Sequence, residues 1–275
     1  MTQDATARTQ TTKTTQTATT LTDEQKLEII ETGFTLLHNV VPAEKVAAAM
    51  RVINASLGAN GADPAQLDIY RSRTWTPDVT GDPAIIGLLT DTPLWALAES
   101  AIAPGEIEPV DYGQIALRFP STEPPGHPRA HIDGMYSPHN GVPKGEILNF
   151  TALVGVYLSD VPTDDAGNFV VWPGSHRAYA DYFGREGADA LLRGMPPVEI
   201  GEPVQLKPKA GDAVLSHYQI GHGIASNASP NIRYAIYFRL KRVGHDGIRR
   251  EVMTDLWREW DGMRELVGTS TSSVA

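Results

Sequence analysis

Apolar positions change their period near residue 112, from helical spacing before it to strict alternation after it. In the N-terminal third, Thr22 and Gln25 fit a capping box ahead of Leu27, Ile29 and Ile30, and Gly33 ends that short helix. Phe34 to Leu37 reads as a short strand. Pro42 suits the first turn of a second helix, in which Val46, Ala49, Met50, Ile53 and Leu57 share one face until Gly58. A Gly-, Pro- and Asp-rich stretch carrying Tyr70 and Trp75 follows, then apolar helical segments at Pro83 to Leu89 and Leu94 to Ala103. From Tyr112 onward, Ile115, Leu117 and Phe119 alternate with Gln114, Ala116 and Arg118, which predicts a strand. Further strands are expected at Phe150 to Leu158, Phe169 to Trp172, Val204 to Leu206, Ala213 to His217 and Arg233 to Leu240. A polar, helical insertion at 177–203 interrupts them, and Leu256 to Leu266 reads as a C-terminal helix. Strands parted by Gly and Pro, without βαβ alternation, predict a mainly β fold with flanking helices, an antiparallel jelly roll of the cupin-like kind.

Composition bounds the function. At 275 residues and 41% hydrophobic content the chain can bury one substantial core, so a single domain over 21–275 is expected. Residues 1–20, mostly Thr with Gln and Ala, offer little to bury and are expected to form a flexible tail. A formal charge of −10, with no run of Lys and Arg, argues against a nucleic-acid partner. Cysteine is absent, so any metal must use His, Asp or Glu. No apolar run approaches the roughly 18 residues of a membrane span, and no apolar signal core opens the chain. A cytoplasmic protein, monomeric or homodimeric, acting on a small molecule is the expectation.

One constellation stands out. His131 and Asp133 lie two apart and therefore aim imidazole and carboxylate to one side of an extended segment. A second histidine from a distant strand would complete two imidazoles and one carboxylate around a metal while leaving coordination positions open, the arrangement of non-haem Fe(II) oxygenases. His222 and His217 compete for that place. Gly223, which lets backbone pass close to a bulky neighbour, favours His222. His176 ends a Pro-Gly-Ser turn and is expected to bond backbone there.

Arg233 opens a strand with large apolar or aromatic groups on both faces. A guanidinium entering such an interior needs an anion, and a ligand carboxylate meets it with two parallel hydrogen bonds; a structural salt bridge is the alternative. Gln114 and Arg118 on the strand before the His-x-Asp triplet, and Asn149 and Thr151 on the strand after it, are further candidates for cosubstrate contact. The loop 134–146 should overhang the metal, making Met135, Tyr136 and His139 candidate substrate contacts. The insertion and the loop around Tyr70 and Trp75 are candidate lids.

The ordered set His131-x-Asp133, Gly167-Asn168-x4-Pro173-Gly174-Ser175-His176, Gly211-Asp212, His217-x4-His222-Gly223, Asn227-x-Ser229 and Arg233 resembles the phytanoyl-CoA dioxygenase family of Fe(II)- and 2-oxoglutarate-dependent oxygenases. The likeness runs from about Leu21 to Arg242. It implies a double-stranded β-helix, iron held by His131, Asp133 and His222, and Arg233 on the distal carboxylate of 2-oxoglutarate. It further implies O2 as oxidant with release of succinate and CO2. Halogenating relatives look to carry a small residue where this chain keeps Asp133, so hydroxylation is the expected outcome. Epoxidation, desaturation or epimerisation would use the same chemistry with a different substrate placement. A cupin-like metal protein without 2-oxoglutarate turnover is the alternative from another class. With no basic cluster along the chain, a free amino-acid derivative or natural-product intermediate is expected rather than a coenzyme A thioester.

Overall fold

The computed structural model describes residues 18–270, with most helices before the change of apolar period and all strands but β1 after it. Helix α1 (Asp23–Thr32) carries the expected capping box at Thr22 and Gln25 and ends at Gly33 in the left-handed region, φ +91°. Strand β1 (Phe34–Leu37) follows at once. Helix α2 (Ala43–Asn60) runs through Gly58 and stops only at Gly61. An interior glycine costs roughly 1 kcal/mol, which the buried face of Val46, Ala49 and Ile53 outweighs. Helices α3 (Leu67–Ser72), α4 (Pro83–Thr90) and α5 (Pro93–Ala101) complete the layer, the last two capped by Asp82 and Thr92.

The remaining strands are β2 (Gln114–Arg118), β3 (Ala152–Tyr157), β4 (Phe169–Val171), β5 (Val204–Gln205), β6 (Ala213–His217), β7 (His222–Ile224) and β8 (Arg233–Leu240). A five-stranded sheet has the order β1-β6-β3-β8-β2 and a three-stranded sheet the order β5-β4-β7, with every pairing antiparallel. This is the jelly roll that the alternation predicts. On the larger sheet, Ile115, Leu117, Val154, Val156, Ile236 and Phe238 pack against the helices. The opposite phase, with Leu153, Tyr157, Ala235 and Tyr237, closes on Phe169 and Val171 of the smaller sheet. Residues two apart share a face, so Gln114, Ala116 and Arg118 on β2, and Arg233, Tyr237 and Arg239 on β8, belong to the interior phase. The register sets Gln114 opposite Tyr237 and Arg118 opposite Arg233.

The insertion folds as α6 (Ser175–Glu186) followed by a 3-10 turn at Ala188–Arg193. The expected helix over 256–266 is instead a 3-10 turn at Asp261–Met263 leading into α7 (Arg264–Ser270). Backbone docking explains the delay. The Asp261 amide donates to the Ile102 carbonyl at 2.7 Å. Gly262 passes so near Ser100 O that any Cβ there would overlap it. Residues 1–17 of the expected tail lie outside the described residues. Among the described residues, no helix is long and apolar enough to cross a membrane.

Candidate functional site

His131 and His222 meet backbone to backbone, each amide donating to the other's carbonyl at 2.9 Å in a lone antiparallel bridge. Gly223 makes the approach possible, since a Cβ at that position would lie 2.7 Å from the Arg129 carbonyl oxygen. The two imidazoles consequently face each other with centroids 4.4 Å apart. Asp133 turns toward them from the same short segment, with Oδ1 3.6 Å from His131 Nε2 and 3.7 Å from His222 Nε2. His222 Nδ1 donates to the Ile220 carbonyl at 3.1 Å, which fixes the tautomer and leaves Nε2 free as a ligand atom. One donor atom from each of the three residues lies within 4.8 Å of the others. Two neutral imidazoles and one carboxylate on one side of a point suit a divalent transition metal with open positions.

Electrostatics prepare these donors. Burial alone would raise the Asp133 carboxyl, but the Arg239 guanidinium and both imidazoles hold it well below the usual carboxylate range. Arg239 donates to Asp133 Oδ2 and, through Nη1, to Gln114 Oε1 at 2.7 Å, and it lies over the Phe150 ring. Desolvation by the surrounding groups, followed by the nearness of His222, lowers the imidazole of His131, whose side chain is still 47% exposed, and this favours the neutral ligand form.

The ligands border a cavity of about 440 Å³. Arg233 reaches its inner wall with 2% exposure. Its Nε donates to Gly167 O at 2.8 Å and its Nη1 to Ala116 O at 2.9 Å, whereas the buried Nη2 has no partner among the described residues. Gly167 adopts φ +75°, and a Cβ there would press on both Arg118 and Arg233. An orphaned donor on a buried guanidinium fits an incoming carboxylate. Burial, then the nearness of Arg233, brings the Arg118 guanidinium down to about 10.

Gln114, Arg118, Met135 and Tyr136 line this cavity together with the three metal-ligand candidates and Arg233. Three other expected contacts do not. His139 is exposed, and its carbonyl accepts from Arg73 Nε at 3.0 Å. Thr151 Oγ1 donates to the buried Glu259 at 2.7 Å, and Asn149 bonds His245 and the Arg249 carbonyl, so both side chains serve the C-terminal segment instead. His217 is the core histidine of the competing pair. Its Nε2 donates to Leu256 O at 2.9 Å, its Nδ1 accepts from the Gln219 amide, and its ring stacks on Trp260. His176 does bond backbone, but at the Ile30 carbonyl of α1 rather than within its own turn. Met195 from the insertion and Trp75, stacked on Tyr70, supply cavity walls where lids were expected. The sequence reading passed over Arg71, Tyr237 and Arg239. The last two share the strand phase of Arg233, which was the available signal.

No family model matches the chain, and no curated protein matches it. Solved structures do. EctD from S. alaskensis in its apoform is 19% identical over 84% of this chain and 80% of its own, with a TM-score of 0.55. HygX from Streptomyces hygroscopicus with nickel and 2-oxoglutarate bound is 17% identical over 82% of this chain and 88% of its own, with a TM-score of 0.54. EctD with 2-oxoglutarate and 5-hydroxyectoine aligns with a TM-score of 0.54 at 18% identity, over 84% of this chain and 79% of its own. The chain has their double-stranded β-helix fold. The narrower likeness to the phytanoyl-CoA dioxygenase family has no matching family model behind it.

Proposed function

We propose that this chain is an Fe(II)- and 2-oxoglutarate-dependent oxygenase of a small molecule, its domain spanning 21–275, akin to the phytanoyl-CoA dioxygenase family. The observation that carries this reading is the convergence of His131, Asp133 and His222 beside a buried arginine whose Nη2 lacks a partner among the described residues. The likeness in fold to HygX and EctD, which bind 2-oxoglutarate in the structures above, supports it.

His131, Asp133 and His222 would hold iron from one side and leave the cavity side open. Arg233 would take the distal carboxylate of 2-oxoglutarate, and Gln114 and Arg118 line the same cavity. When bound, the metal and the 2-oxo acid supply an oxidant from O2, yielding succinate and CO2. The protein's share is to orient and to exclude water. Phe169, Leu153 and Ile224 give the cavity apolar walls, and Met135 and Tyr136 from the overhanging loop face the substrate. Hydroxylation is the default outcome, and the placement of the substrate's C–H bond decides between it and epoxidation, desaturation or epimerisation.

Anaerobic titration with Fe(II) and 2-oxoglutarate should produce a weak visible absorption band, lost in Asp133→Ala and His222→Ala. A metabolite screen for substrate-dependent succinate release then identifies the reaction. Metal binding without any 2-oxoglutarate dependence would support a cupin-like metal protein instead.

A further inference from the structure

Among the described residues the cavity is lined by Arg71, Arg118, Arg233 and Arg239 against one acid, Asp133, a balance of 4 − 1 = +3 in a chain of formal charge −10. Iron and 2-oxoglutarate do not correct it, because a dication and a dianion cancel. Arg239 already answers Asp133 at 2.7 Å, which leaves the excess on the other three. Arg118 and Arg233 stand opposite each other in the register of β2 and β8, a pairing that destabilises a sheet unless an anion joins it. Neither forms an ion pair among the described residues. Arg233 spends its bonds on carbonyls, and among the described residues the acid that Arg71 reaches is Asp68, at 3.9 Å, with both side chains more than half open to solvent. Arg71 lies close enough to Arg118 to disfavour its charge further. One cosubstrate carboxylate on Arg233 therefore leaves two cations unanswered.

We propose that the substrate carries an anionic group, a carboxylate or a phosphate, which Arg71 and Arg118 receive while its reacting carbon faces His131, Asp133 and His222. This deepens the oxygenase reading and rests on it for the identity of the reaction, but the anion site stands on its own observation. The substrate's body is apolar, matching Trp75, Leu153, Phe169 and Ile224. It is also compact, since about 440 Å³ must hold the cosubstrate as well. The guanidinium fork recognises carboxylate and phosphate oxygens alike.

The test uses the full chain loaded with Ni(II) and saturating 2-oxoglutarate, titrated calorimetrically with benzoate, phenyl phosphate and the neutral isostere benzamide. At least one acid should bind about tenfold or more tighter than benzamide, the scale of one charge-assisted contact. The tighter of the two acids assigns carboxylate or phosphate. Arg71→Gln, on an exposed helix face, should remove most of that preference while 2-oxoglutarate affinity stays within about twofold. Equal binding of benzamide and both acids, or an acid preference untouched by Arg71→Gln, overturns the proposal. Failure of the wild type to bind metal or 2-oxoglutarate sinks the oxygenase reading instead, and the same three titrations on the metal-free wild type and on metal-free Arg71→Gln then decide the anion site, since an acid preference unchanged in the variant belongs to Arg233 and overturns it.

Discussion

Arg239 grips Asp133 by one oxygen only: Nε and Nη2 both donate to Oδ2, at 3.0 and 2.7 Å, while Oδ1 looks toward the two histidine rings. The carboxylate is thereby presented as a one-oxygen ligand before any ion arrives. Replacing Arg239 with Gln should weaken Ni(II) binding by about 10–100-fold, as loss of a ligand's orienting partner commonly does, without altering the circular dichroism. Unchanged affinity by calorimetry would remove Arg239 from the positioning role.

Arg233→Met separates cosubstrate from metal. Losing a buried charge-assisted contact costs about 2–5 kcal/mol, so 2-oxoglutarate affinity should fall roughly thirtyfold or more. Ni(II) affinity measured without 2-oxoglutarate should hold. Parallel losses in both titrations would point to a collapsed cavity rather than a missing carboxylate partner.

Thr151 offers the opposite expectation. Its hydroxyl donates to Glu259, which His245 also bonds at 2.8 Å, inside a pocket that the cavity does not reach. Thr151→Val should lower unfolding stability in urea by about 1–3 kcal/mol through the donor lost to a buried carboxylate. 2-Oxoglutarate affinity should be unmoved, and a weakened affinity would return Thr151 to the site.

Two buried histidines predict acid sensitivity. Burial, and for His176 also the nearness of His217, brings His176 to about 3 and His217 to about 4. Unfolded histidine takes its proton near pH 6.5, so the unfolded chain binds protons that the folded one refuses. Their contribution is whole above about pH 6.5 and is lost as the pH falls toward the folded values, about 2 kcal/mol per ring by pH 5. Urea unfolding at several pH values should show that slope, reduced by up to one proton in His217→Gln. An identical slope in the variant would mean that other groups carry the effect.

The metal candidates were legible because strand periodicity survives into three dimensions: His131 and Asp133 lie two apart, and Gly223 marks the close approach at His222. The same periodicity placed Arg233 inside and Tyr237 on its face, but without a role for Tyr237, and one further step of two along β8 reaches Arg239. It misled at Asn149 and Thr151, because β3 begins only at Ala152 and the irregular backbone before it carries no strand phase. The basic cavity was invisible to a search for runs of Lys and Arg. Its four arginines come from α3, β2 and β8, and only the tertiary fold gathers them. The C-terminal helix began late because backbone docking on α5 overrode the apolar spacing.

The lone bridge between His131 and His222 gives the centre a second office. Two backbone bonds fasten the stretch that leads into the Met135 loop onto β7, and an ion shared by the two rings would rivet the same pair of residues from the other side. Loading the site would therefore stiffen the roof above it, so that the mouth would be held most firmly when there is something inside to shelter.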